Sequence, residues 1–321
     1  MRYTMYLVLG MSSIMDRNNG MKGGYQMNFG QVLTAMVTPF DKNEKIDFEK
    51  LEILIDYLLE NSTEGLVIAG TTGESPTLTT SEKLMLFKHV VHIVDKRVPV
   101  IAGTGTNQTK ESIIMTKEAT ACGVDGIMLV APYYNKPSQH GLYEHFKQIA
   151  ASTNLPIMLY NIPGRSVVKM SAETIIRLSK IKNIVSIKEA SGDLDQAAQI
   201  IEETDDDFSV YSGEDSLTLP MLSIGGKGIV SVASHIIGKD MGEMIKAYIS
   251  GNSEKAASMH RKVLPIMDEL FAAPSPTPVK EALEWKGIAV GGVRLPLIPL
   301  NNAEKKKLYH VLQTYHRLAA L

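Results

Sequence analysis

The sequence predicts an α/β protein, a (β/α)8 TIM barrel followed by a C-terminal helical domain. Eight short runs rich in Val, Ile and Leu follow one another along the chain, with amphipathic stretches between them. Strands that are apolar almost throughout, alternating with helices, belong to a parallel sheet covered on both faces. The runs recur every about 20 to 33 residues, the length of one strand-plus-helix unit. A glycine-rich dinucleotide turn is missing after the first run, which decides how the sheet closes.

The first run, 32–37, passes into Thr38-Pro39-Phe40-Asp41, and a helix is expected at 48–60. Strand two at 66–69 is followed by a helix at 82–95, strand three at 98–102 by 110–122, and strand four at 126–130 by 141–151. Strand five at 156–160 precedes a helix at 172–179, strand six at 184–188 one at 194–202, and strand seven at 208–211 one at 217–224. Strand eight is 228–232. Most of these helices open on Ser, Thr or Asp capping residues. An open doubly wound sheet carries G-x-G-x-x-G after its first strand. The nearest glycine pair, Gly103-Thr104-Gly105, runs on into Asn107 and Gln108, where the third glycine belongs. Eight units within residues 32–250 fit the closed ring instead.

Beyond residue 251 the strand signal ends. Helices are expected at 253–271, 279–287 and 301–321, with the Pro-rich link 273–278 as a stiff turn between the first two. The expected divisions are an N-terminal extension at 1–26, the barrel at 27–250 and the helical domain at 251–321. Met27 is the expected natural start. The apolar stretch 5–15 has only Arg2 in front of it and no small-x-small cleavage site, so it makes a poor secretory signal.

The 321 residues are 44% apolar and 21% charged, an ordinary globular composition that excludes disorder and collagen-like repeats. Thirty-three Lys plus Arg against thirty-five Asp plus Glu leave a net charge of −2, with no field to hold a polyanion, so no nucleic-acid partner is expected. The single cysteine, Cys122, cannot form an internal disulfide, which fits a reducing, cytoplasmic compartment and removes any Cys-rich metal site. No run approaches the roughly 20 apolar residues of a membrane span.

A barrel of this kind places its chemistry at the carboxyl ends of the strands, so polar residues that end apolar runs are the candidates. They are Thr71, Thr72 and Glu74 at the end of strand two, Tyr133 and Tyr134 after strand four, Tyr160 and Asn161 at the end of strand five with Arg165 shortly after, and Lys188 at the end of strand six. Strict alternation puts Ile184, Ser186 and Lys188 on one face and Val185 and Ile187 on the other. If the second face meets the helices, Lys188 points into the ring. An ammonium there is costly unless its pKa falls from about 10.4 to near 7–8, roughly 4 kcal/mol. The resulting neutral amine attacks carbonyls to give a Schiff base. The competing structural role is a lysine paired with a buried carboxylate, Glu189 or Glu74.

A Schiff-base lysine needs proton carriers, and hydroxyls move protons without a fixed charge. Tyr160, Tyr134, Thr71 and Thr72 are of that type, although each alone also suits packing or capping. Arg165 offers a planar fork for a substrate carboxylate, or a surface ion pair. Other chemistries are poorly served. His89 and His92 lie on a helix with no H-E-x-x-H and no third ligand, so no metal site is expected. Neither G-x-x-x-x-G-K-[ST] nor G-x-S-x-G occurs.

These residues resemble the dihydrodipicolinate synthase family of pyruvate-dependent, class I aldolase-like lyases. The likeness covers nearly the whole chain from Met27 and rests on GTTGE at 70–74, APYYNKPSQ at 131–139, LYNIPGR at 159–165, IKEASGD at 187–193 and GIVSVASH at 228–235. It implies the barrel with its helical domain, a homotetramer built as a dimer of dimers, and a condensation of pyruvate with L-aspartate 4-semialdehyde to 4-hydroxy-tetrahydrodipicolinate, on the route to diaminopimelate and lysine. Carried over at matching positions, Lys188 forms the imine with pyruvate and Tyr160 donates and accepts protons. Thr72 links Tyr160 to Tyr134, which reaches the partner subunit's site. Thr71 and Thr72 with the Val230 backbone hold pyruvate, and Arg165 receives the carboxylate of the semialdehyde. No metal or organic cofactor is implied.

Two relatives share the lysine chemistry, N-acetylneuraminate lyase and the sugar-acid aldolases; the Thr71-Thr72 pair and Arg165 favour the synthase. One departure bears on regulation. Thr80 and Lys83 stand where lysine-inhibited members of the family carry histidines, although Asn107, Glu111 and Tyr133 match the effector site, so weak or absent feedback by lysine is expected. Two further classes remain in play: a barrel that only binds a keto acid, and a pyridoxal phosphate enzyme using Lys188, for which no phosphate cradle is evident.

Overall fold

The structure, a computed structural model, describes residues 29–319. The expected extension at 1–26 lies outside the described residues. In chain order the elements are β1 (Val32–Ala35), α1 (Phe48–Glu60), β2 (Gly65–Ile68), α2 (Thr80–Val94), β3 (Val100–Gly103), α3 (Thr109–Ala121), β4 (Gly126–Val130), α4 (Gln139–Ala150), β5 (Ile157–Asn161), α5 (Pro163–Ser166), α6 (Ala172–Ser179), β6 (Ile184–Glu189), α7 (Leu194–Glu203), β7 (Ser209–Ser212), α8 (Thr218–Ser223), β8 (Gly228–Ser231), α9 (Ser234–Ile249), α10 (Ser253–Glu269), α11 (Thr277–Trp285) and α12 (Asn302–Ala319). The eight strands are parallel, each hydrogen-bonded to the next, and β8 returns to β1, closing the barrel the sequence predicts.

Local chemistry sets the element ends. α1 begins where the Asp47 side chain accepts from Lys50 N, and it buries Leu51, Leu54, Ile55 and Leu58. Each such burial is worth about 1.5–3 kcal/mol, against about 1 kcal/mol for the cap, so packing drives the helix and the cap fixes its start. α2 starts at Thr80, two residues before the sequence-based expectation, because Thr79 and Glu82 form a reciprocal capping box. The eighth helix, α9, went unassigned in the sequence. Its first five residues, 234–238, are all buried, Ile237 is non-helical at φ −123°, and Gly238 and Gly242 lower the helix propensity, so the exposed stripe of Lys239, Glu243 and Lys246 begins only in the second turn, beside the enclosed Met241, Met244 and Ile245.

Two apolar layers result. An outer one lies between strands and helices, and an inner one fills the ring with Phe29, Leu33, Val67, Ile101, Met128, Met158, Tyr160, Val185, Tyr211 and Val230. Strand six departs from strict alternation. Ile157 pairs with Ile184 and the next residue, Met158, pairs with Ser186, so Val185 is an extra residue, a β-bulge. Ile184 therefore packs outward with Ile187 while Val185 joins the inner layer, which corrects the expectation that Val185 and Ile187 share the helix-facing side. Above the bulge, Lys188 is level with inward-facing Tyr160 on β5 and inward-facing Tyr211 on β7, and it points into the ring as expected.

The C-terminal helices pack on one side of this frame, α10 against α9 and α12, and α11 against α9 and α12. The stretch 286–301 runs back from α11 to the loops after β1 and β2, where Phe40 N donates to Val290 O at 3.0 Å.

Candidate active site

At the carboxyl end of the ring lies a cavity of about 320 Å³, lined among others by Thr71, Lys83, Thr106, Tyr133, Tyr160 and Arg165. Its size lies within the range of small-molecule sites. Tyr160, the last residue but one of β5, is 4% exposed, and Lys188 stands beside it on β6 at 5%, its Nζ 4.5 Å from the Tyr160 ring centroid. Room for the lysine comes from Gly213. A Cβ there would sit 3.0 Å from Lys188 Cγ and Cε and 2.6 Å from Ala190 Cβ, so only glycine leaves the side chain its path.

Neither carboxylate considered as a structural partner for Lys188 serves it. Glu189 accepts from Ser191 N at 2.8 Å, Asn161 Nδ2 at 2.9 Å and Gln196 Nε2 at 3.2 Å. Glu74 is paired with Lys280 at 2.6 Å. Among the described residues no carboxylate lies within ion-pair distance of Lys188. Glu214 and Asp215, on the loop after β7, are the acids whose charges it does feel; burial pushes both carboxyls up and the Lys188 charge opposes the push. Asp215 is also structural, accepting from Ser231 Oγ at 2.5 Å, Val232 N at 3.1 Å and Ala233 N at 2.9 Å, which fixes the backbone just beyond Val230. Neither Asp215 nor Gly213 ends an apolar run, so nothing in the sequence marks them as part of the site.

The other candidates divide. Arg165 is held at the cavity on α5, exposed, after the β5 end. Thr71 lines the cavity, whereas Thr72 is buried at 5% and lies outside its lining. Val230 sits in the inner layer, level with Leu33. Tyr134 is 87% exposed, at φ +73°, a left-handed conformation that a side chain rarely adopts, and it stands apart from the cavity. Its neighbour Tyr133, assigned from the sequence to an effector site, lines the cavity with Lys83. No hydrogen bond joins Tyr160 to Thr71, Thr72 or Tyr134 among the described residues. The cavity lining therefore carries the Tyr160 phenol and the Arg165 guanidinium, and the Lys188 amine, itself outside that lining as Thr72 is, stands against the Tyr160 ring. That set suits imine chemistry on a carboxylated carbonyl compound. The described residues contain no group of three or more His, Cys, Asp or Glu that could hold a metal ion.

Comparison with known proteins gives the same direction. The profile of the dihydrodipicolinate synthetase family matches residues 28–315. The chain is 62% identical over 286 residues to the 4-hydroxy-tetrahydrodipicolinate synthase of Bacillus velezensis, covering 89% of this chain and 99% of that protein. It is similar to the crystal structure of a dihydrodipicolinate synthase from Bacillus anthracis, with a TM-score of 0.89, 59% identity and coverage of 90% of this chain and 99% of that one. The lysine-bound synthase of Cyanidioschyzon merolae superposes with a TM-score of 0.88 at 45% identity, covering 90% and 98% of the two chains.

Proposed function

The chain belongs to the dihydrodipicolinate synthetase family, and from that premise we propose that Lys188 is the amine that captures pyruvate in its reaction. The reaction is the condensation of pyruvate with L-aspartate 4-semialdehyde to 4-hydroxy-tetrahydrodipicolinate, a lyase step of diaminopimelate and lysine biosynthesis. Lys188 Nζ attacks the pyruvate C2, and loss of water leaves an imine. A proton leaves C3 to give an enamine, whose carbon attacks the semialdehyde aldehyde and forms the new C–C bond. The amino group of the semialdehyde then adds to C2, and the Lys188 amine departs as the ring closes.

Tyr160, against the amine, passes the protons of dehydration and enamine formation. Thr71 and Thr72 with the Val230 backbone hold the pyruvate carboxylate. The resemblance implies Thr72 as the link between Tyr160 and Tyr134; Thr71 lines the cavity together with Tyr160, which supports it for that link. Arg165, which lines the cavity, takes the carboxylate of the semialdehyde. Tyr134, so exposed within one chain, is a residue given to the neighbouring subunit of a homotetramer, a dimer of dimers. The catalytic unit is the barrel at 27–250, the helical domain 251–321 supports it, and the protein works in the cytoplasm. No described helix is long and apolar enough to cross a membrane.

The observation that carries this reading is the inward-pointing Lys188 amine beside Tyr160, with no carboxylate paired to it among the described residues. Borohydride reduction in the presence of pyruvate, followed by peptide mass mapping, is expected to place the adduct on Lys188. An assay of aspartate semialdehyde against N-acetylneuraminate is expected to show turnover of the former. An adduct elsewhere, or none, removes Lys188 from the mechanism.

A further inference from the structure

Behind the turn that carries Thr71 and Thr72 lies a second charged cluster, which the mechanism above leaves unused. The turn is closed by Glu74 N donating to Thr71 O at 3.1 Å and Ser75 N to Gly70 O at 3.2 Å, and Thr38 Oγ1 donates to Gly73 O at 2.7 Å. Glu74 itself sits at φ +56°, a left-handed conformation that a residue with a side chain keeps only where its surroundings hold it there. The holding groups come from the far end of the chain. Glu74 Oε1 lies 2.6 Å from Lys280 Nζ of α11, with both side chains at most 2% exposed, and Oε2 accepts from Arg294 N at 2.9 Å.

Each partner is anchored in turn. Lys280 Nζ donates to Gly292 O at 2.7 Å and lies 4.2 Å from the Phe40 ring centroid. The Arg294 guanidinium is 4.3 Å from the same centroid and reaches Thr77 O at 2.8 Å, Glu44 O at 2.9 Å and the Glu82 carboxylate at 2.5 Å. At Gly291, φ +70°, a Cβ would meet Phe40 O at 2.1 Å, so the strap can lie this close to the β1 loop only with glycine there. A segment of the C-terminal region is thus bonded to the loops after β1 and β2 together.

We propose that the Glu74–Lys280 pair and the Arg294 strap are positioning residues of the reaction, holding the Thr71-Thr72 turn in register with Lys188 and Tyr160 from the C-terminal region. The proposal rests on the reading that this turn holds pyruvate. Arg165 stands on α5, to which no hydrogen bond or ion pair of the cluster runs among the described residues, so loss of the cluster is expected to disturb the pyruvate-holding turn more than the semialdehyde site. A displacement of about 1 Å at a substrate-holding group costs up to about a hundredfold in rate.

The test compares the parent protein with Lys280→Met, with the double variant Glu74→Gln/Lys280→Met, which leaves no unpaired buried charge, and with Arg294→Gln. In the double variant kcat/KM for pyruvate is expected to fall about tenfold or more while KM for aspartate semialdehyde stays within about twofold. Its melting temperature is expected to recover most of what Lys280→Met alone loses. Arg294→Gln, which keeps the buried pair, is expected to move the same constants in the same direction by a smaller factor, and it carries the test if the others do not fold. Pyruvate kcat/KM within about twofold of the parent in a folded variant overturns the proposal, and so does a semialdehyde KM that rises by as much as the pyruvate constant falls. Failure of the parent itself to trap pyruvate would instead sink the functional reading.

Discussion

Two lysines are buried among the described residues, and the regions around them differ in what they offer an ammonium. Lys280, in the layer between α11 and the β1 and β2 loops, has a carboxylate at 2.6 Å, a carbonyl at 2.7 Å and an aromatic face. Burial pulls it below the usual lysine range while Glu74 pushes back. Lys188, at the mouth of the ring, has a phenol ring beside it and acids only at a distance. A fully partnered amine is a fastener, and one left without a carboxylate partner is free to form a bond with a ligand. Burial is nearly equal in the two places, so it is the partner list that separates a structural lysine from a chemical one.

The sharpest way to break this contrast is to remove each amine. Lys188→Met is expected to lower kcat by about a thousandfold or more, with little change in melting temperature because no paired carboxylate is stranded; a coupled rate assay beside calorimetry checks both. Lys280→Met strands Glu74 and is expected to cost about 3–5 kcal/mol of unfolding free energy in urea titrations. Equal thermal effects from the two substitutions would erase the distinction.

Smaller effects refine it. Tyr160→Phe is expected to slow turnover by about a hundredfold while pyruvate remains reducible onto Lys188 by borohydride, which would separate capture of the keto acid from proton transfer. Next comes acid stability. His235 is fully buried, its Nε2 accepting from Val37 N and its Nδ1 donating to Val232 O, an arrangement that needs the neutral ring. Burial pushes His235 and His145 down to about 4. A folded-state pKa below the unfolded one means that the unfolded chain binds the extra proton. Stability is therefore unaffected above about pH 6.5 and falls by up to about 1.4 kcal/mol per pH unit for each histidine between there and pH 4. Urea midpoints across that range, with and without His235→Gln, measure it. The smallest expected effect involves Lys83, half-buried at the cavity and lowered by burial, with Glu111 opposing. Millimolar lysine is expected to change the initial rate by less than about twofold, since a cation already occupies that position.

Much of this was legible in the sequence. Eight apolar runs with helical spacing predict the ring, and Lys188, Tyr160, Thr71 and Arg165 stood out because each lies at or just beyond the end of such a run. Three things were hidden, each for a physical reason. The face of Val185 depends on one inserted residue, which alternation cannot see. α9 opens on a wholly buried turn and carries Gly238 and Gly242, which weaken its helical signal. Lys280 reads as an ordinary helix lysine, and its partner Glu74 belongs to the other end of the chain, so only the fold joins them.

The bulge at Val185 has a wider meaning. Side chains along a strand keep step in twos, so whatever packs at the foot of β6 would ordinarily dictate where its tip points. The spare residue breaks that lockstep. The lower half of the strand is free to vary with its neighbours while the upper half keeps its aim, and a lineage could rebuild one without disturbing the other.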